Sequence, residues 1–379
     1  MALLDMAFHS GAYIEAAHVN YHKRGSADRD EEIVRSYCRE RGIPFHLLDF
    51  DEERYSGNFQ AAARQARYDF FRKICEKDDL DEVLVAHQKD DLIETYLMQK
   101  EKRLGVSYYG IKERNTINGV CVYRPLLDHT KNELIGYCEE NGIPYGIDES
   151  NLKDAYQRNR IRHLKVERMS EEKKDEVVEK IRIENQKNEE HYQKALSHLN
   201  RESYTVKQFL RIPYLKTWLH HHFSHKSDLF FDEMKRQLEQ SKSCVFKGDD
   251  LYIAKGYGRI EVFEIPEDIE YHFDSFDAMR SFSCEQFMFT EQGKKIEGVF
   301  LKEEDFPIRI RPYREGDSIA MRYGQKKINR FFIDRKMTLK QRLNWPLMVN
   351  AKDEIIFVPS IGCDLNHYCE IPNIFMIKL

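Results

Sequence analysis

Short apolar runs alternate with amphipathic stretches through the first 150 residues, and this alternation leaves few folds open. Tyr13 to Asn20 reads as a strand, followed by the polar loop His22-Lys23-Arg24-Gly25-Ser26-Ala27-Asp28. A helix from Arg29 to Arg41 ends at Gly42, and a second strand runs from Pro44 to Leu48. A helix from Gln60 to Lys77, an apolar strand through Val83-Leu84-Val85-Ala86 and a helix carrying Glu94 come next. Arg124-Pro125-Leu126-Leu127 then precedes a helix from Lys131 to Asn141, stopped by Gly142 with Pro144 behind it. Repeated strand–helix units predict an α/β fold, a Rossmann-like parallel sheet with helices on both faces.

The third strand carries the strongest functional signal. Its apolar run is expected to be buried, with Leu92, Tyr96 and Leu97 of the following helix turned inward. At 3.6 residues per turn, His87, Asp90, Asp91 and Glu94 then share one helix face. One histidine and three carboxylates converge at the carboxyl end of a strand, where open α/β sheets bind ligands. Such a cluster can hold a cation, a ligand ammonium or a metal-bound phosphate. An acidic first turn also suits any helix start, so a solvated face stays open as an alternative.

Residues 170–200 contain neither Gly nor Pro and are rich in Glu, Lys, Gln and Asn. One long exposed helix is expected, N-capped by Ser170, with a thin apolar stripe of Val177, Ile181, Tyr192, Ala195 and Leu199. Beyond it, helices over Val206 to His221 and Asp228 to Gln240 precede a hairpin, Cys244 to Phe246 with Leu251 to Ile253. His220, His221 and His222 are adjacent and point apart on a helix, which favours a surface role over a metal site. The domains expected are 1–168, a linker helix 169–200, and two smaller α+β domains, 201–275 and 276–379.

From Arg309 to Arg342 there are eleven Lys or Arg against three Asp or Glu, although the whole chain has a net charge of −5. Tyr313, Tyr323, Phe331 and Phe332 are interleaved with them, so a polyanion with bases available for stacking is the expected partner. Eight cysteines lie singly, with no Cys-x-x-Cys, and argue against a disulfide scaffold or zinc ribbon. Cys363, His367 and Cys369 fit no common zinc knuckle. No run reaches the roughly 20 apolar residues of a membrane span, and Met1 to Phe8 lacks the marks of a signal peptide. A cytoplasmic protein without a membrane partner is expected, and a homodimer is among the states open to it.

Several stretches together resemble the tRNA(Ile)-lysidine synthetases, a branch of the N-type ATP pyrophosphatases. They are His18-Val19-Asn20-Tyr21-His22 with Arg24; Ala63-Arg64-Gln65-Ala66-Arg67-Tyr68; and Ala86-His87 through Asp90-Asp91 to Glu94-Thr95. Arg124-Pro125-Leu126-Leu127 follows, then Asp148-Glu149-Ser150-Asn151 with Tyr156-Gln157-Arg158-Asn159-Arg160-Ile161-Arg162-His163. The tail, with Gly316-Asp317 and Lys326-Lys327-Ile328-Asn329-Arg330-Phe331-Phe332-Ile333-Asp334, is similar to the family's C-terminal tRNA-binding domain. The resemblance runs nearly end to end, and its motifs in this order are highly specific.

The resemblance implies ATP-dependent attachment of free L-lysine to the wobble cytidine of tRNA(Ile) with a CAU anticodon, through an adenylated cytidine, with Mg2+ bridging the phosphates. It assigns Asp90, Asp91 and Glu94 to catalysis, with Asp91 and Glu94 holding the lysine ammonium and Asp90 serving the metal or nucleotide. His18, His87, Arg64 and Arg67 are assigned to ATP, the two arginines lying one helical turn apart. Arg158, Arg160, Arg162, Lys326, Lys327, Arg330 and Arg335 are assigned to tRNA, with the nucleotide side and surface salt bridging also open for Arg158, Arg160 and Arg162. No metal-ligand set is assigned.

The family's opening strand and Ser-Gly-Gly-x-Asp-Ser loop, which wraps the ATP pyrophosphate, do not occur within residues 1–379. Met1 to Met6 corresponds to the helix after that loop, and a start placed at an internal methionine or a truncated gene is the expected cause. Residues 1–379 alone are therefore expected to be impaired. The alternatives are a tRNA-binding remnant without catalysis and another tRNA-modifying enzyme with the same loop, such as a thiolase, for which paired cysteines are missing.

Overall fold

The computed structural model describes residues 1–22, 26–50, 59–102, 105–146, 157–224, 226–268, 270–280, 282–322 and 324–379. Arg24, Asp148 to Asn151, Tyr156 and Tyr323 of the motifs above lie outside the described residues. Contacts divide the chain into two compact units, Met1–Gln193 and Lys194–Leu379. Among the described residues no helix is long and apolar enough to cross a membrane.

The first unit is built of α1 (Ala2–His9), β1 (Ala16–Asn20), α2 (Ala27–Arg41), β2 (Phe45–Asp49), α3 (Phe59–Asp78), β3 (Val83–Leu84) and α4 (Lys89–Glu101). β4 (Arg114–Ile117), β5 (Val120–Tyr123), α5 (Lys131–Glu140), α6 (Gln157–Ile161) and α7 (Glu171–His198) follow, with a π-helical turn over Arg162–Val166. β1 and β2 pair in parallel, and so do β3 and β5. α1, β1, α2 and α5 share a core of Ala2, Ala16, Tyr37, Cys38, Ile43, Cys138 and Ile143.

The unit is α/β with parallel strands, as expected, and among the described residues these lie in two sheets, β1-β2 and β3-β5-β4. Two expectations need correction. The strand through Ala86 is not buried: among the described residues β3 hydrogen-bonds only to β5, and both Leu84 and Ala86 are exposed. An antiparallel hairpin, β4–β5, sits where the sequence pattern predicts no strands. Its turn is Asn118-Gly119 with φ of 50° and 81°, the left-handed pair that a two-residue hairpin requires.

The long helix exists and starts as expected, with the Lys173 N–H donating to Ser170 Oγ at 3.3 Å. It is not merely exposed, because Val178 and Ile181 pack with Leu92, Ile93, Tyr96, Leu127, Ile161 and Val166 in one core. Asn185 fastens it further, exchanging hydrogen bonds with the Tyr109 backbone N–H and C=O.

In the second unit, the helix expected over 206–221 is broken into α8 (Val206–Leu210) and α9 (Leu215–His222), because Pro213 is followed by Tyr214 at φ 56°. α10 (Asp228–Gln240) accompanies an antiparallel sheet of β6 (Tyr204–Thr205), β7 (Cys244–Lys247), β8 (Leu251–Gly256) and β9 (Arg259–Glu264). The expected hairpin is there, with Phe246 opposite Ile253. The histidine row is not a surface feature throughout: His220 is buried edge-on against Phe231 and pairs with Asp228, while His222 pairs with Asp250.

The rest of this unit stacks a five-stranded sheet and a three-stranded sheet over one core. β10 (Tyr271–Phe273), β13 (Ile308–Pro312), β16 (Pro346–Val349), β17 (Ile355–Val358) and β18 (Gly362–Cys363) form the larger sheet. α11 (Phe276–Arg280) follows β10, and β11 (Phe287–Thr290), β12 (Gly298–Val299) and β19 (Ile374–Lys378) form the smaller sheet. Met348 and Phe357 enter the core between the sheets, whereas their neighbours Leu347 and Val358 face a second core. That second core lies under the hairpin β14 (Ser318–Met321) with β15 (Gly324–Lys327), α12 (Ile328–Asp334) and α13 (Leu339–Leu343).

Candidate active site

The expected cluster forms around the start of α4, but its members separate into different contacts. Gln88 is the N-cap, so His87 precedes the helix and does not share its face. Asp91, three residues on, accepts the Gln88 N–H with Oδ2 at 3.1 Å. Its other oxygen takes Arg158 Nη2 at 2.6 Å. Glu94 has a completely buried side chain, 0 % exposed, which only a paired carboxylate can sustain. Arg158 Nε donates to its Oε2 at 2.8 Å, and Arg162 donates Nε to Oε1 at 2.5 Å and Nη2 to Oε2 at 3.0 Å. Arg158 and Arg162 lie four apart on α6 and its π-helical extension, and therefore meet Asp91 and Glu94, three apart on α4. Those two arginines, assigned to tRNA by resemblance, grip the two carboxylates assigned to lysine. Arg160 points elsewhere, 3.6 Å from Glu101.

Asp90 turns away to a different partner. Lys174 Nζ of α7 lies 2.9 Å from it, and Lys89 Nζ donates to Asp175 at 2.8 Å, so two oppositely directed ion pairs lock the starts of α4 and α7. Desolvation opposes the charge on Lys174, but Asp90 and Glu171 outweigh it and raise the amine above the usual lysine range. The arrangement argues against Mg2+ on α4: each of the three clustered carboxylates already has a cationic side chain, so these residues do not fit the ion as they stand.

His87 lies on a strip of cations, Arg64, Arg124 and Arg158, whereas His18 and Arg67, also assigned to the nucleotide, have other partners. His87 Nδ1 accepts from Arg124 Nε at 3.1 Å, which places the imidazole proton on Nε2. Burial holds His87 below the usual histidine range, against the pull of Asp91, and Arg124, Arg158 and Arg64 act in the same direction as burial. Arg124 is only 4 % exposed and also donates to the Lys112 carbonyl and Asn115 Oδ1. The sequence signals it only through the Arg124-Pro125 motif, which by itself assigns no role. Arg64 lies over the Tyr68 ring at 5.0 Å, while Arg67 donates to Tyr21 Oη at 2.9 Å. Neither is salt-bridged among the described residues. His18 stacks on Phe45 at 6.4 Å and is lowered by burial. Beside it the buried Asn20 donates to both Asp28 and Glu31.

In the basic tail, three of the eleven cations, Arg309, Arg311 and Arg342, are turned into the fold, and a fourth, Arg314, stays exposed beside an acidic partner. Arg311 makes two 2.9 Å bonds to Asp317, Arg309 pairs with Glu270 and Asp353, Arg314 with Asp268, and Arg342 donates to the Met337 carbonyl. Lys326 and Lys327 are exposed on β15, as are Arg322, Arg330, Arg335, Lys336 and Lys340 around it. Arg330 pairs with Asp334 at 3.1 Å, and Arg335 covers the Phe331 ring at 3.7 Å. Three of the four aromatics are held in the fold: Phe331 and Phe332 are buried, and Tyr313 packs edge-on against Phe332 at 5.0 Å. His367 meets carboxylates, buried between Asp364 at 2.5 Å and Asp305 at 3.0 Å.

Residues 1–169 match the family model described as a PP-loop domain. The chain is 31 % identical over 364 residues to the tRNA(Ile)-lysidine synthase of Mycoplasma mycoides subsp. mycoides SC, a match covering 89 % of this chain and 88 % of that protein. It is 30 % identical over 429 residues of alignment to the tRNA(Ile)-lysidine synthase of Bacillus subtilis, covering 98 % of this chain and 89 % of that one. A shorter match of 46 % over 169 residues, to the enzyme of that name from Ureaplasma parvum serovar 3, covers 43 % of this chain and 50 % of the relative.

Proposed function

Since the chain belongs to the tRNA(Ile)-lysidine synthase family of tRNA-modifying ligases with an ATP-binding PP-loop domain, we propose that it builds lysidine at the wobble cytidine of tRNA(Ile) with a CAU anticodon. ATP adenylates O2 of the cytosine and pyrophosphate leaves. The ε-amine of L-lysine then attacks C2, and the C2–O2 bond breaks as AMP departs. Free lysine has a side-chain pKa of about 10.4, so its amine sheds a proton before attacking.

Arg64, Arg67 and Arg124 meet phosphate charge, and neutral His87 offers its Nε2–H beside them. Asp91 and Glu94 receive a lysine ammonium in place of the Arg158 guanidinium, which is the more exposed of their two partners at 41 % against 19 % for Arg162. The observation that carries this reading is that these carboxylates already hold a cation, next to a cationic strip suited to a nucleotide.

The test is incubation of tRNA(Ile) with ATP and labelled lysine, followed by mass analysis of the nucleosides. The protein should be preceded by a strand and a Ser-Gly-Gly-x-Asp-Ser loop, and lysidine is expected. Residues 1–379 alone are expected to form little. Binding of tRNA without product from the loop-bearing protein would favour the non-catalytic reading, and a thiolated base would favour the other enzyme class.

A further inference from the structure

At the amino-terminal ends of β1 and β2, a second cluster has no part in this chemistry. Glu15 leads into β1, His46 is the second residue of β2, and Asp78 ends α3. Glu15 Oε2 lies 2.6 Å from His46 Nε2, and one ligand atom from each of the three residues falls within 4.8 Å of the others. Tyr13 donates to Glu15 Oε1 at 2.7 Å and orients the carboxylate. The Glu15 side chain is 5 % exposed, and those of His46 and Asp78 are 24 % exposed, a half-enclosed position rather than a solvated rim.

We propose that Glu15, His46 and Asp78 form a site for a divalent transition-metal ion of the zinc class. The donor set supports this class. One imidazole and two carboxylates favour zinc-like ions over Mg2+ or Ca2+, which take oxygen ligands. Bonds of about 2.0–2.2 Å place neighbouring ligand atoms a little over 3 Å apart. The cluster reaches that spacing if the Glu15–His46 pair opens slightly and Asp78 closes in.

The charge around the cluster supports it too. Asp78 lies in the last turn of α3, where the helix dipole is negative and a carboxylate is disfavoured. The cation beside it is the adjacent and largely exposed Lys77, at 3.2 Å. A dication relieves both charges and clasps the end of α3 to β1 and β2. Water fills the remaining position.

The test is zinc titration by calorimetry of the full chain, with thermal unfolding alongside and Mg2+ as the control ion. The wild type is expected to bind one equivalent that His46→Gln and Asp78→Asn weaken by at least about tenfold, the scale on which even outer-shell partners of a metal act. A zinc-dependent rise in Tm should disappear in both variants. If His46→Gln does not fold, Asp78→Asn decides, because Asp78 is paired with the exposed Lys77 whereas His46 is paired with the buried Glu15. Unchanged zinc binding in Asp78→Asn, or no zinc binding by the wild type, overturns the proposal and leaves an ion pair only.

Discussion

Glu94 and Asp91 look alike in the sequence but stand in different positions, and their substitutions should separate. Glu94 is wholly buried between two guanidinium groups, and Glu94→Gln takes charge-assisted bonds from both, while Arg158 keeps Asp91 and both arginines keep some contact with solvent. A loss of about 1.5–3 kcal/mol in stability is expected, read by urea unfolding. Asp91→Asn keeps an oxygen for the Gln88 N–H and should fold. In the loop-bearing protein it should weaken lysine use by one to two decades, the equivalent of about 1.5–3 kcal/mol for a charge-assisted partner. Its ATP dependence should change little, and equal losses for ATP and lysine would remove Asp91 from the lysine site. A third residue, His367, predicts a pH effect. Burial opposes its charge, but hydrogen bonds to Asp364 and Asp305 outweigh this and raise it above the ordinary value of 6.5. Its stabilising contribution is complete below that value and fades as pH rises through the raised one. Unfolding midpoints should therefore fall as the pH rises above about 6.5, and His367→Gln should flatten that part of the profile.

The docking of α7 is the decisive event among the elements. Its sequence suggests a largely solvated rod, because charged and amide side chains leave only a thin apolar stripe. The helix instead buries a short stripe, and the charges at its start interlock with those of α4 through Lys174–Asp90 and Asp175–Lys89. Lys174→Met should cost about 3–5 kcal/mol, since it strands a nearly buried Asp90 carboxylate. The double variant Asp90→Asn, Lys174→Met should recover part of that loss. Additive losses in a double-mutant cycle would show that the pair does not couple the helices. The Ser170 cap and the glycine stops at Gly42 and Gly142 were legible because they depend on residues only a few positions apart. The missed β4–β5 hairpin carried its own local signal in Asn118-Gly119, but its flanks are too polar to stand out as strands.

Over the whole molecule, charge is unevenly placed, and tRNA docking is the expected use of the exposed cations around β15. Neutralising Lys326, Lys327 and Arg330 together to alanine should weaken binding of all tRNAs similarly, because phosphate contacts carry little sequence information. The log–log salt slope should flatten by about one unit for each phosphate that no longer meets a cation, measured by filter binding on folded protein. An unchanged slope would give the patch another purpose. The sequence by itself determined the strand–helix order of the first unit from β1 to α4, the family motifs and the net excess of positive charge in the tail. Those features rest on local periodicity and on residue type alone. Only the tertiary structure decided that Arg158 and Arg162 cover Asp91 and Glu94, that Asp90 belongs to Lys174, and that Arg311 is held by Asp317. An ion pair across 64 residues leaves no trace in spacing, since which cation meets which carboxylate depends on how helices pack after the chain has folded.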